Sequence, residues 1–329
     1  MSTKSDRPKV LIVGAGLEGL LLGALLEKAG VPYQIFERAT TVKPLGFVAA
    51  HEASGPFTCR RIVPSRKIHF GHRVLNITEE DNKVIIHLSN KDTIEGDIIV
   101  GADGAYSAIC QRMYEQLKAV GKLPKSDQED LSFRCACFGG TTKVLDPEEF
   151  PKRTLGDLYD QTPKEFISKA MLEEKVFTTW HYRRYVLLGG SCHKLNPSGG
   201  HGAVTVMHDA VALANLLYSM PTRTLEDITR IFEEYQKERL PAVTQSYNHS
   251  RHLAKISGRG HSGAIPLYFS TRASMWLWRL AMAKQVPLRP QAAFLKRVEV
   301  KGTVLPAKSP SEQKARTVFE KRQQTAASI

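Results

Sequence analysis

Three glycine-rich segments of this chain carry the residue types that could hold a large anionic ligand. The first, Gly14-Ala15-Gly16-Leu17-Glu18-Gly19, follows a short apolar run, Val10–Val13. Glycines allow a tight turn and a close approach of the backbone to a phosphate. A helix that begins there adds free N–H groups and a partial positive charge. The G-x-G-x-x-G spacing therefore predicts a pyrophosphate site at the start of a helix.

The elements on either side decide whether this spacing is meaningful, because the motif works only between a strand and a helix. Val10–Val13 predicts a buried strand, 20–29 a helix closed by Gly30, and 33–36 a second strand. The required context is therefore present. A glycine-rich turn in an α/β domain without a ligand is the alternative.

Each residue of the motif has a physical role in this context. Gly14 permits the turn, Gly16 admits the pyrophosphate, and Gly19 lets the helix pack on the strand. Glu37 ends the second strand, where a carboxylate accepts hydrogen bonds from ribose hydroxyls and repels the extra phosphate of NADP. The first segment therefore predicts an adenine dinucleotide other than NADP.

The second segment, Gly101-Ala102-Asp103-Gly104, follows a strand predicted at 93–100 and precedes a helix-like stretch at 105–120. It places Asp103 at the carboxyl end of a strand, where open α/β sheets bind their ligands. Taken alone, the segment is also compatible with an ordinary Asp-Gly turn.

The third segment lies between an apolar strand, 185–188, and a long helix predicted at 203–218. Gly199, Gly200 and Gly202 leave the N-terminus of that helix open. Such a terminus suits a group that carries negative charge, as the N1 and C2 carbonyl region of a reduced flavin does.

Histidine and cysteine patterns predict neither a metal site nor a disulfide framework. His193 and His201 lack the usual metal-ligand spacing, and no carboxylate accompanies them. The five cysteines are odd in number and form no C-x-x-C pair, so a reducing compartment is expected.

Composition and charge indicate an ordinary globular protein with a basic surface. The chain has 329 residues, 42% hydrophobic and 24% charged, with a formal net charge of +13. No RNP or zinc-finger motif organises the basic residues, so we predict no nucleic-acid partner but a surface that attracts anionic cofactors or membrane headgroups. The polar N-terminus shows no secretory signal, which predicts an intracellular, cytoplasmic protein.

The rest of the chain predicts an antiparallel β meander at 67–88, a helix at 225–240 that ends at Pro241, and a second helix at 243–255. The stretch 265–286 is apolar, but cations interrupt it, so it is a poor membrane span. Packing against the main body is favoured there, and an interfacial helix with peripheral membrane contact is the alternative. The basic tail from Pro306 predicts a surface helix or a disordered segment.

In this order, the three segments resemble the FAD-dependent aromatic-ring hydroxylases, or single-component flavoprotein monooxygenases. The similarity points to the fungal branch of salicylate-hydroxylase-like and meroterpenoid-epoxidase-like enzymes, and it covers most of 9–240. The residues that carry it are Gly14-x-Gly16-x-x-Gly19 with Glu37-Arg38, Gly101-Ala102-Asp103-Gly104-x-x-Ser107, and Gly189-Gly190-x-x-His193-Lys194-x-x-Pro197 with Gly199-Gly200-x-Gly202-Ala203.

The resemblance implies an α/β fold with a Rossmann-like FAD-binding domain of the glutathione-reductase type, a reduced substrate sheet and a helical C-terminal region. It divides the chain into an FAD-binding domain at 9–130 and 176–250, a remnant of a substrate domain at 131–175, and a C-terminal region with a polar tail at 251–329. The implied cofactor-binding residues are Gly14, Gly16, Gly19, Glu37, Arg38, Gly46, Asp103, Gly190, Pro197, Gly199, Gly200, Gly202 and Ala203.

The resemblance also implies a reaction. With FAD as the cofactor and NAD(P)H as the reductant, the family transfers one oxygen atom of O₂ to a small molecule, here expected to be aromatic or polyprenylated. Because the cofactor carries this chemistry, we name no catalytic residue.

Three features depart from the family pattern. Gly190 stands where the family usually has an aspartate that bonds the ribityl region of FAD, a loss worth about ten- to a hundredfold in affinity. The segments 46–62 and 151–176 are shorter than in the family, so an FAD-contacting arginine and much of the substrate sheet are expected to be missing.

These departures motivate a second hypothesis, a catalytically impaired FAD-binding paralogue. A third, an NAD-dependent dehydrogenase, leaves the second and third segments unused.

Overall fold

The structure is a computed structural model that describes residues 7–41, 61–80, 82–140, 154–257, 289–299 and 309–327, with single positions between 272 and 280. The predicted cofactor contact at Gly46 and most of the stretch 265–286 lie outside these residues.

A six-stranded sheet forms the centre of the described part of the chain. Its strands, in spatial order, are β10 (His181–Tyr182), β11 (Tyr185–Leu187), β7 (Ile98–Gly101), β1 (Val10–Val13), β2 (Tyr33–Glu37) and β3 (Ile68–Phe70). Neighbouring strands pair in parallel, except that β10 pairs antiparallel with β11. All residues of β1 and β7 are buried, as expected for central strands of a parallel sheet that is covered on both faces.

Two smaller sheets flank this centre. One is an antiparallel sheet of β4 (Val74–Glu80), β5 (Lys83–Leu88) and β6 (Thr93–Gly96). The other joins β8 (Ser132–Gly140), β9 (Ile167–Val176) and β12 (His193–Lys194).

The predicted meander at 67–88 is wrong in its first strand. Ile68 pairs with Ile35, so β3 extends the central parallel sheet instead of the antiparallel one. The strand predicted at 93–100 is likewise divided into β6 and β7. The division falls beside Gly96, where an added Cβ would lie 2.6 Å from the Leu11 side chain, so the two sheets meet closely there.

The helices cover both faces of the sheet. They are α1 (Leu17–Ala29), α2 (Ala108–Ala119), α3 (Lys125–Gln128), α4 (Leu155–Gln161), α5 (Gly202–Ser219), α6 (Leu225–Ser257) and α7 (Pro310–Ala327). Helix α1 packs against α5, and α5 also contacts α6 and α7. The polar tail is therefore a helix that packs on the main body within 310–327.

The predicted end of a helix at Pro241 is wrong, because α6 continues through it to Ser257. A proline inside a helix removes one hydrogen bond and costs about 3 kcal/mol or more. The buried face that begins with Ile228, Phe232 and Tyr235 continues as Val243 on the far side of the proline. Packing of one continuous apolar stripe on both sides offsets the local penalty.

Candidate functional site

The three glycine segments meet at the carboxyl ends of β1, β7 and β11. An added Cβ on Gly14 would lie 2.2 Å from the carbonyl oxygen of Ala102, so the first and second turns are in backbone contact. An added Cβ on Gly190 would lie 3.2 Å from the Cα of Gly104, which joins the second turn to the third. Segments that are far apart in the chain thus form one site, as the sequence predicts.

The first turn separates two kinds of glycine. An added Cβ on Gly19 would lie 2.0 Å from the carbonyl oxygen of Gly14, so these two positions are needed for close packing of α1 on β1. Gly16 is different, since an added Cβ there would meet the Glu18 carboxyl group at 3.4 Å and no backbone atom within 4 Å. Gly16 is also the N-cap of α1 and provides no side-chain cap. No capping side chain at Gly16 occupies the N–H groups at the start of α1, and the Glu18 carboxyl group accepts a hydrogen bond from its own N–H.

Glu37 ties the first turn to the end of β2. Its carboxylate accepts hydrogen bonds from the backbone N–H groups of Ala15 and Ala39, each at 2.8 Å. A carboxylate has about four acceptor positions, so these two bonds leave capacity for ribose hydroxyls. The neighbouring Arg38 side chain is exposed. Contact of either residue with a cofactor stays a prediction.

Asp103 holds the second turn to the third. Its Oδ1 accepts hydrogen bonds from the hydroxyls of Ser107 at 2.5 Å and Ser191 at 3.3 Å, and its Oδ2 accepts one from the N–H of Ala108 at 2.7 Å. Burial raises the pKa of this carboxyl, although hydrogen bonds from Ser107 and Ala108 act in the opposite direction. The resemblance implies that Asp103 binds the cofactor, and the geometry adds a positioning role.

The start of α5 is open, as the third segment predicts. Its N-cap is His201, which makes no side-chain capping hydrogen bond. An added Cβ on Gly202 or Gly200 would find no heavy atom within 4 Å, and Ala203 is partly buried in the first turn. The helix therefore directs N–H groups and a partial positive charge towards the space beside the third turn.

Gly199 and Pro197 have different surroundings from the other residues of this segment. An added Cβ on Gly199 would lie 2.3 Å from the Ser250 hydroxyl oxygen, so this glycine allows α6 to approach closely. Pro197 begins a short 3-10 turn and is exposed. Their predicted contact with a cofactor is not tested by this geometry.

The two histidines of the third segment have separate protein partners. His193 is buried and its Nε2 lies 2.6 Å from Oδ2 of Asp209, whose Oδ1 accepts a hydrogen bond from Nε of Arg239 at 2.7 Å. His201 Nε2 lies 2.8 Å from Nδ1 of His249. Within the part of the chain that the structure describes, no group of three or more His, Cys, Asp or Glu side chains could hold a metal ion.

A cavity of about 630 Å³ opens beside Gly190 and Ser191. This volume lies in the range of small-molecule sites. Its rim carries an ion pair between Lys194 and Glu173 at 2.7 Å, and the Tyr106 hydroxyl donates a short hydrogen bond to the same carboxylate. Apolar and aromatic wall residues include Leu123, Tyr114 and Phe177.

The variant Asp103→Asn tests the junction between the second and third turns. We expect it to lower the free energy of unfolding by about 1.5–3 kcal/mol, because an amide cannot satisfy all three donors that the carboxylate now accepts. Denaturant unfolding followed by circular dichroism measures the loss. Asp92→Asn, a change at an exposed turn, is the control and should stay within about 0.5 kcal/mol of wild type. Equal stability of the two variants would contradict the assigned role.

Several residues of the site escaped the sequence interpretation. Glu18 occupies a variable position of the motif, and an acid in the first turn of a helix is common for reasons unrelated to ligands. Ser191 carried no signal, because its partner Asp103 lies 88 residues away along the chain, and Ser107 was recognised as a motif residue but not as a hydrogen-bond donor to Asp103. Ser107 also caps α2, and a serine just before a helix is the local pattern that points to this capping role.

Comparisons with known proteins agree with the geometry. A family model described as an FAD binding domain matches residues 7–51 and 152–250. The chain is similar to the FAD-dependent monooxygenase atmM of Aspergillus flavus, with 23% identity over 77% of this chain and 79% of that protein. It is 26% identical to the FAD-dependent monooxygenase paxM of Penicillium paxilli over 59% of this chain and 54% of that protein, about half of that relative's length.

Among solved structures, HpxO of Klebsiella pneumoniae in complex with FAD and uric acid superposes with a TM-score of 0.61. The identity is 15%, and the match covers 86% of this chain and 97% of that one. At this identity the likeness shows a shared fold.

Proposed function

We propose that this chain, which belongs to the FAD-dependent monooxygenases, uses FAD, NAD(P)H and O₂ to hydroxylate or epoxidise an aromatic or polyprenylated small molecule. The observation that carries the proposal is the meeting of three glycine turns at one edge of the parallel sheet. The resemblance inferred from the sequence and the α/β fold with an FAD-binding domain are confirmed. The impaired-paralogue alternative is not favoured, because the relatives are named as monooxygenases.

The residues present fit the dinucleotide part of FAD. Gly16 leaves the start of α1 uncovered by backbone, and as the N-cap of that helix it makes no side-chain capping hydrogen bond. Glu37 lies at the end of β2 with acceptor capacity for the adenosine ribose. We therefore assign the pyrophosphate to Gly14–Gly19 and the ribose to Glu37. When bound, FAD supplies the electron transfer from NAD(P)H and the activation of O₂.

The third turn and the adjoining cavity would serve the reacting end of the site. The open N-terminus of α5 stabilises negative charge that develops beside it, and its N–H groups need no movement to do so. The cavity beside Gly190 offers mostly apolar walls for a small molecule and keeps bulk water from part of the site. We assign substrate to this cavity.

The predicted domain division and membrane contact remain proposals. The sheet of β8, β9 and β12 is the part that we assign to the remnant substrate domain. In the described part of the chain, no helix has the length and hydropathy needed to cross a bilayer. Trp276, Leu277 and Leu280 are exposed, which is compatible with peripheral membrane contact at these positions.

Turnover tests the proposal directly. Purified protein supplied with FAD should oxidise NAD(P)H slowly, and faster when an accepted aromatic or polyprenylated substrate is added. With ¹⁸O₂, mass spectrometry should find one labelled oxygen atom in the product. If FAD binds but a broad substrate panel yields neither stimulation nor labelled product, the impaired-paralogue alternative is correct.

A further inference from the structure

The side chain of Glu18 lies where the first and third turns meet. Its Oε2 lies 3.4 Å from the position of an added Cβ on Gly16, and its Oε1 lies 3.5 Å from that of an added Cβ on Gly190. The Glu18 Cβ lies 3.5 Å from the added Cβ position of Gly189. One carboxyl group therefore lies in the space that side chains at Gly16 and Gly190 would otherwise enter.

Among the described residues, the charges that act on this carboxyl group are those of His193 and Asp103. Burial raises its pKa, and hydrogen bonds from the backbone N–H groups of Glu18 itself and of Gly190 lower it. His193 also lowers the pKa, whereas the charge of Asp103 raises it. Because the balance leaves the pKa raised, the protein alone does not fully compensate the charged form. A ligand that donates hydrogen bonds would supply what is missing.

The chemistry of that ligand follows from the charges. A phosphate at this carboxyl group would meet a like charge, with Asp103 adding to the repulsion. Neutral hydroxyl groups instead donate hydrogen bonds to a carboxylate and pay little for desolvation. Between the pyrophosphate and the ring of FAD, the hydroxyl-bearing part is the ribityl chain.

We propose that Glu18 accepts hydrogen bonds from the ribityl hydroxyls of FAD, so that the first turn supplies a carboxylate which the third turn lacks at Gly190. This proposal rests on the proposed function, because it requires that the chain binds FAD. It assigns Glu18 as a cofactor-binding residue and explains how the site tolerates glycine at 190. The residue then serves two turns at once, since its backbone belongs to α1 and its carboxyl group contacts the third turn.

Two ligands distinguish this role from that of an ordinary acid at a helix start. FAD carries the ribityl chain, whereas ADP carries the pyrophosphate and adenosine alone. We expect Glu18→Ala to raise the Kd for FAD at least tenfold, the effect of losing a hydrogen bond to a charged group. The Kd for ADP should change less than twofold or fall. Calorimetry of the full chain measures both, without reference to activity.

The matched control is Glu226→Ala, which removes an exposed acid from the first turn of α6, on a helix start that takes no part in the glycine turns. It should leave both dissociation constants unchanged. Thermal unfolding of each variant without ligand shows whether a loss of FAD affinity comes only from a weakened α1.

Moving the carboxylate provides the second test. Gly190→Asp places a second carboxyl group beside Glu18, so repulsion between the two carboxylates should make this single variant bind FAD more weakly than wild type. In the double variant Glu18→Ala with Gly190→Asp, the repulsion is gone and FAD affinity should return to within about threefold of wild type.

The outcomes separate this inference from the proposed function. If wild type fails to bind FAD, the proposed function fails first. If wild type binds FAD and Glu18→Ala binds it equally well or more tightly, the assignment of Glu18 is wrong. Parallel weakening of FAD and ADP by Glu18→Ala also overturns the assignment, whether or not the double variant folds.

Discussion

The variant Gly14→Ala should unfold at a much lower denaturant concentration than wild type, with a loss of at least about 4 kcal/mol in the free energy of unfolding. An added Cβ would lie 2.2 Å from the Ala102 carbonyl oxygen and 2.6 Å from its carbon. Both are backbone atoms of the second turn, so they cannot rotate away. The backbone of Gly14 has a φ of +109°, which side-chain-bearing residues rarely adopt. Guanidinium chloride unfolding followed by circular dichroism measures the loss.

Gly121→Ala is the control for Gly14→Ala. Gly121 also has a positive φ, +66°, but an added Cβ there would find no heavy atom within 4 Å. Gly121→Ala should lower the free energy of unfolding only by the backbone strain, about 1–2 kcal/mol. Similar losses for the two variants would mean that the first and second turns do not touch as described.

Asp209→Asn should be the second most damaging change and should lower the free energy of unfolding by about 3–5 kcal/mol. Asp209 is fully buried, and its charge is matched by the buried guanidinium of Arg239 at 2.7 Å. Removing the carboxylate breaks a buried, charge-assisted hydrogen bond and takes one negative charge away from beside the buried Arg239 guanidinium. The control is Glu115→Gln, which breaks the exposed ion pair with Arg112 and should cost less than about 1 kcal/mol. Urea unfolding at neutral pH compares the two variants.

The same residue predicts a pH dependence. Burial raises the pKa of Asp209, but Arg239 and His193 together lower it by more. The pKa of this carboxyl group is therefore below the ordinary value of 3.8. A lowered pKa gives stability that is present above pH 3.8 and is lost as the pH falls through the lower pKa of the folded state. Wild type should therefore lose stability below about pH 4 more steeply than Asp209→Asn does. Parallel acid unfolding curves would contradict this assignment.

The parts of the fold that sequence patterns predicted well are those with strong local determinants. Val10–Val13 is a strand with the predicted bounds, and Gly30 ends α1 in the left-handed conformation. Local chemistry decides such features, because a buried strand needs a run of apolar residues and a helix end favours glycine. The approach of the three glycine turns followed from placing each one after a parallel strand.

The parts that the sequence did not reveal depend on distant partners. Helix α6 passes Pro241 because Val243 and residues before the proline pack on the same surface, which a local rule for proline cannot anticipate. Strand β9 was not predicted, and it exists through its pairing with β8 and β12. Glu18 had no sequence signal, because its role depends on Gly190, which lies far along the chain.

Equilibrium titration of the purified chain with FAD tests the central claim most directly. The account predicts saturable binding of one FAD per chain, with a shifted visible spectrum of the flavin and weaker binding to Gly16→Leu, which fills the open face at the start of α1. Absence of saturable binding, or wild-type affinity in Gly16→Leu, would contradict the claim that the three turns hold one flavin cofactor.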